Sequence, residues 1–132
     1  MIRVFERLPE STERLAKSVV DSAYKVHAAL GPGLPESVYE TCLLHELRKR
    51  NIATESQVAI PIAYDGIRLE AGLRFDLLVE KQLIVEIKAV DQMNRIFNAQ
   101  VLTYLKLTGL RLGLLINFNV PLIKNGIERI IL

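Results

Sequence analysis

The chain has no tryptophan, a single cysteine, Cys42, and an aromatic content of only 6%. One cysteine excludes an internal disulfide and any cysteine-rich zinc cluster, and it agrees with a reducing compartment. Two histidines, His27 and His45, are too few and too far apart to suggest zinc. No stretch approaches the roughly 20 consecutive apolar residues that a membrane-spanning helix needs, so no membrane partner is expected. The opening residues MIRVFERLPESTERL scatter charges where a signal peptide would carry an apolar core, and the expected location is cytoplasmic. Excess charge of one sign is also missing. Lys and Arg number 17 and Asp and Glu 15, leaving +2, which neither announces a polyanionic partner nor excludes one. With no internal repeat, low-complexity tract or linker-like run, the 132 residues read as one domain, 1–132.

What is present is patterned apolar sequence. Half the residues are hydrophobic and 24% are charged, the balance of a globular protein. Ser11 or Thr12 is placed to cap a first helix in which Leu15, Val19, Ala23, Val26 and Leu30 recur at three- and four-residue spacing, until Gly31, Pro32 and Gly33 stop it. A second helix starts at Pro35 and Glu36 and carries Val38, Leu43, Leu44 and Leu47 as its apolar stripe, ending before Asn51. Beyond Ile52 the period changes to two. VAIPIAY, RLEAGLRFDLLVE and LIVEIKAV read as three consecutive strands, with turns at Asp65 and Gly66 and near Glu80 to Gln82. Pro61 has no N–H for a ladder and puts the first strand at an edge or on a bulge.

Helical spacing returns from about Asp91 to Thr108, with Met93, Phe97, Val101, Leu102 and Leu105 on one side and Gly109 just past the end. RLGLLINF is a short strand buried on both faces, and GIERIIL is a final strand or a short tail. The order predicts an α/β fold: a mixed β-sheet, built from a three-stranded meander, a crossover helix and a further strand, flanked by helices.

Three ionic residues interrupt the apolar strands. Asp76 lies in RFDLLVE, and ten residues on, Glu86 and Lys88 sit inside LIVEIKAV. A charge in such a segment is costly without a partner and is seldom kept without a use. Alternation puts Glu86 and Lys88 on one face, and a hairpin turn folds Asp76 back beside them. Two carboxylates with waters and a substrate phosphate are a common way to hold Mg²⁺, which polarises the phosphate and acidifies a bound water. Lys88 is then placed to orient or deprotonate that water, or to neutralise developing charge. The plainer alternative is a surface ion pair on a solvated sheet face, because D…ExK recurs by chance.

Other residues are weighed the same way. Glu36 shares a helix surface with Tyr39 and Glu40 and is a candidate third carboxylate, or simply an acid favoured at a helix N-terminus. Gln100 and Tyr104, four apart, present an amide and a phenol toward phosphate or base, or form an amphipathic boundary pair. Cys42 and His45 lack the third group a nucleophile and base would need. Arg48, Lys49 and Arg50 suit the negative end of a helix better than a DNA clamp.

The string GLPESVY, with Gly33, Glu36 and Tyr39, matches the signature of the GxxExxY protein family. RFDLLVE, LIVEIKAV, AQVLTYLKLTG and GLLINF are similar to that family's other blocks in the same order, from Ala23 to Ile131. The family resembles the PD-(D/E)xK nuclease superfamily, whose restriction-endonuclease-like core runs helix, three-stranded meander, helix, strand. The resemblance implies that Asp76 and Glu86 are metal ligands, with Glu36 as the helix-borne acid of the metal set, and that Lys88 is the catalytic lysine. It implies Mg²⁺ or Mn²⁺ as cofactor and nucleic acid, DNA foremost, as substrate. Gln100 and Tyr104 resemble the QxxxY element of RecB-type members, which positions substrate, and Tyr39 is grouped with them. One position departs: Phe97 stands where a histidine is often found. The alternative is a nuclease scaffold that no longer cuts and binds nucleic acid or a protein. Lacking an accessory domain, it would draw on a homodimer or a partner protein for grip.

Overall fold

Helix α1 (Glu10–Leu30) buries Ala16, Val19, Ala23 and Val26, spaced three and four apart, in a computed structural model that describes residues 7–70 and 72–132. Its start differs from expectation. Pro9 holds the N-cap position without a side-chain bond. Ser11 and Thr12 hydroxyls donate instead to Gln82 Oε1, at 3.4 and 3.1 Å, and tie the helix to a turn of the sheet. Helix α2 (Glu36–Lys49) follows Pro35 and packs beside α1, burying Tyr39, Leu43 and Leu47.

The strands in chain order are β1 (Thr54–Ala59), β2 (Ile62–Tyr64), β3 (Ile67–Leu69), β4 (Arg74–Val79), β5 (Leu83–Lys88), β6 (Leu112–Asn117) and β7 (Ile127–Ile131). The main sheet runs β1-β4-β5-β6-β7, so the Pro61-bearing segment does begin on an edge strand. It also breaks there. Pro61 ends the first pairing region, and the turn at Asp65 and Gly66, with φ of 46° and 76°, closes a separate two-stranded hairpin of β2 and β3. The meander is therefore β1, β4 and β5, with that hairpin inserted between its first two strands.

Helix α3 (Arg95–Thr108) crosses from β5 to β6, the parallel pair of a mixed sheet. It starts later than the periodicity suggests, because Asn94 Oδ1 accepts from the Ile96 N–H at 2.9 Å and caps the helix there. Gly109 ends it in the left-handed region at φ 75°, donating to the Leu105 carbonyl. Every residue of β6 is buried, and GIERIIL supplies β7, antiparallel to it.

Helices α1 and α2 cover one face of the sheet, over Leu77, Val79, Leu83, Val85, Ile87, Leu114 and Ile116. On the other face Ile84 and Phe75 pack with Tyr104 and Leu105 of α3. This is the α/β arrangement expected from the sequence. Alternation along β4 fails at one place. Leu77 and Val79 face α1 and α2, yet Phe75, two residues earlier, stacks at a tilt on Tyr104 with ring centroids 5.9 Å apart. Between them sits Asp76.

Candidate active site

The backbone ladder between β4 and β5 pairs Val79 with Leu83, Leu78 with Ile84 and Leu77 with Val85, and stops there. Beyond it the side chains take over. The Asp76 N–H donates to Glu86 Oε1 at 3.0 Å, and the Ile87 N–H donates to Asp76 Oδ2 at 2.7 Å. Each carboxylate satisfies a backbone donor of the opposite strand that a carbonyl would otherwise have taken. The same bonds hold the two acids side by side.

Their electrostatics follow from that closeness. Glu86 is 5% exposed, and burial, the Asp76 charge and hydrogen bonding to its side chain push its pKa up to about 8. The Asp76 N–H and Lys88 pull the other way without cancelling the rise. Lys88 Nζ lies 3.9 Å from Glu86 Oε2 and 4.6 Å from the centroid of the Phe97 ring, which it overlies. Strand β6 fixes the lysine's backbone. Lys88 pairs with Asn117, its carbonyl accepts from the Phe118 N–H at 2.9 Å, and the Asn117 amide bonds both backbone groups of Val90.

The α2 helix brings two more acids. Gln57 on β1 falls between the pairs Ser56–Leu77 and Val58–Phe75, so it stands across from Asp76. Its Nε2 donates to Glu40 Oε1 at 2.6 Å and to Asp76 Oδ1 at 3.2 Å. Glu40 is pushed up from the usual carboxylate range by burial, opposed by the Gln57 bond and reinforced by the Asp76 charge. Glu36, at the exposed start of α2, is pushed up by partial withdrawal from water and then by Asp76, against the pull of Lys88. The Tyr104 phenol is raised by burial and by the charges of Glu86 and Asp76. Four carboxyls, one lysine and one phenol thus share a single field.

Among the described residues, no three Asp, Glu, His or Cys side chains gather into one metal-ligand set. Asp76 and Glu86 form the close pair, and Glu36 feels the charge of Asp76. The side chains of the close pair offer only carboxylate oxygens, a donor set that suits a hard divalent cation.

Asp76, Glu86 and Lys88 are brought together as the sequence suggests. Gln100 lines a small cavity of about 160 Å³ with Leu73, Ile96, Ala99, Thr103 and Tyr104. Tyr39 is corrected: it is 0% exposed and stacks on Phe118 at 4.6 Å, so it cannot meet a substrate. Its hydroxyl donates to the Gly31 carbonyl at 2.6 Å and accepts from the Leu34 N–H at 3.1 Å, bracing the loop before Glu36. The basic cluster ending α2 has structural partners: Arg48 bonds the Thr54 carbonyl, Lys49 bonds Glu46, and Arg50 bonds the Ser18 carbonyl.

Gln57, Asn117 and the face of Phe97 escaped sequence reasoning. An asparagine closing the run LLIN is a readable signal for the second. The other two depend on tertiary contacts. Among the described residues no helix is long and apolar enough to cross a membrane.

A search of curated proteins and of solved structures gives no match to this chain. A family model does match it, over residues 13–130, and its description is the PD-(D/E)XK nuclease superfamily. With nearly the whole chain matched and the mixed sheet carrying its paired acids, the chain belongs to the PD-(D/E)XK nuclease superfamily.

Proposed function

We propose that the protein is a metal-dependent nuclease that hydrolyses phosphodiester bonds of nucleic acid, with DNA as the substrate. The observation that carries this reading is the Asp76 and Glu86 pair, held together by backbone donors although their charges repel. A divalent cation relieves such repulsion. Asp76 and Glu86 would hold Mg²⁺ or Mn²⁺, with Glu36, outside that close pair, acting on the ion's water shell. When bound, the ion polarises a phosphate oxygen and lowers the pKa of a water. Lys88, beside Glu86, orients the attacking water or neutralises charge that builds on the phosphate. Phe97 keeps the ammonium over the site. Tyr104 and Gln100, on the helix after the lysine strand, position the substrate.

A finer kinship with GxxExxY proteins rests on Gly33, Glu36 and Tyr39, and each has a physical task. Gly33 takes φ 100°, which favours glycine, Tyr39 braces the loop, and Glu36 starts α2 within reach of the Asp76 and Lys88 charges. The signature then reads as a built entry to one site acid.

Calorimetric titration with Mn²⁺ tests the proposal. The wild type is expected to take up the ion and Asp76→Ala to lose it. Absence of uptake, or uptake unchanged in the variant, would favour a scaffold that binds nucleic acid or protein without cutting.

A further inference from the structure

We infer that Gln57 is a positioning residue of the site, whose amide holds the carboxylates of Asp76 and Glu40 together across two elements. The inference rests on the metal-site reading above and adds to it a residue that no motif marks.

Its backbone is the first observation. Gln57 stands inside β1 at φ 53°, a left-handed conformation that costs a side chain other than glycine and is kept where the surroundings demand it. Ser56 and Val58 on either side keep their pairing with β4, so the deviation is confined to the residue opposite Asp76. The second observation is where the side chain goes. One amide nitrogen has two protons, and each meets a carboxylate: Glu40 Oε1 from α2 and Asp76 Oδ1 from β4. Asp76 Oδ2 is already taken by the Ile87 N–H, so the Gln57 bond fixes the remaining oxygen and with it the plane of the group. Outer partners of this kind orient metal ligands, and their loss costs roughly 10- to 100-fold in metal affinity. The same amide offsets the repulsion that Glu40 meets from Asp76.

Two variants separate the amide from the strain. Gln57→Met keeps the side-chain length and the left-handed backbone but has no donor; Gln57→Gly removes the donor and relaxes the backbone. Titration with Mn²⁺, and melting of the metal-free proteins, are the readouts. Both variants are expected to bind Mn²⁺ at least about tenfold more weakly than wild type, with Gln57→Gly melting above Gln57→Met. Wild-type affinity in either variant overturns the inference alone. A fall confined to Gln57→Met also overturns it, because the amide is lost in both. A wild type that takes up no Mn²⁺ overturns the proposed function, and this inference with it.

Discussion

Asp76 and Glu86 each close onto the backbone of the other's strand, Asp76 accepting from the Ile87 N–H at 2.7 Å and Glu86 from the Asp76 N–H at 3.0 Å. The exchange takes the place of the next rung of the β4–β5 ladder. Two acids are thereby fixed before any ion arrives, and the sheet itself does the positioning. Preorganisation of this sort lowers the cost of binding a cation, and the closeness of the two carboxyls, with burial, raises the Glu86 pKa.

The raised Glu86 pKa makes stability depend on pH. Glu86 holds its proton in the folded, metal-free protein up to about pH 8, against an ordinary value of 4.5. Between those values the folded state binds more protons at this group than the unfolded state, so the contribution of Glu86 to stability is fullest below 4.5, declines as pH rises, and stops declining above 8. The slope is at most about 1.4 kcal/mol per pH unit for one proton. Chemical denaturation of metal-free protein at several pH values is expected to show this fall, and Glu86→Gln to flatten it. A wild-type stability that rises across the same window contradicts the assignment.

Phe97 offers a second test. It belongs to neither apolar core cluster, and its ring lies under the Lys88 ammonium. Phe97→Leu keeps an apolar side chain and removes the ring face, so kcat should drop about three- to tenfold, the effect of roughly 1 kcal/mol in a cation–π contact. Phe97→Tyr should restore it. Equal rates for Leu and Tyr variants would show that the ring face does not matter.

For Tyr39 the expected effect is on folding. Phenylalanine keeps the stacking on Phe118 and deletes two hydrogen bonds to the loop, costing about 2 kcal/mol. Urea denaturation measures it. Cleavage lost at unchanged stability would return Tyr39 to the substrate surface.

How much of this was legible depended on whether the cause was local. Asp76, Glu86 and Lys88 stood out because charges interrupt apolar runs, and β5, α3 and β6 followed from period and from Gly109. The β2–β3 hairpin was hidden, since Pro61 is equally consistent with a bulge and with a break. Ser11 and Thr12 have the character of caps, yet their hydroxyls bond Gln82, some seventy residues away in a turn of the sheet. Tyr39 was misplaced because three residues fall about 60° short of a full helical turn, enough to move from the exposed Glu36 edge into the core. Gln57 had no local signal at all. Its left-handed backbone and its bonds to Glu40 and Asp76 arise only where α2, β1 and β4 come together.

If the paired acids and Lys88 make a metal-dependent cutting site, all three and a divalent ion are needed for cleavage. Cleavage of DNA by purified protein with Mg²⁺, with chelator, and with the Lys88→Ala variant tests it most directly. Wild type is expected to cut with Mg²⁺ and not with chelator, and a folded Lys88→Ala is expected not to cut at all. Equal cutting by wild type and variant would trace the activity to a contaminant and contradict the claim.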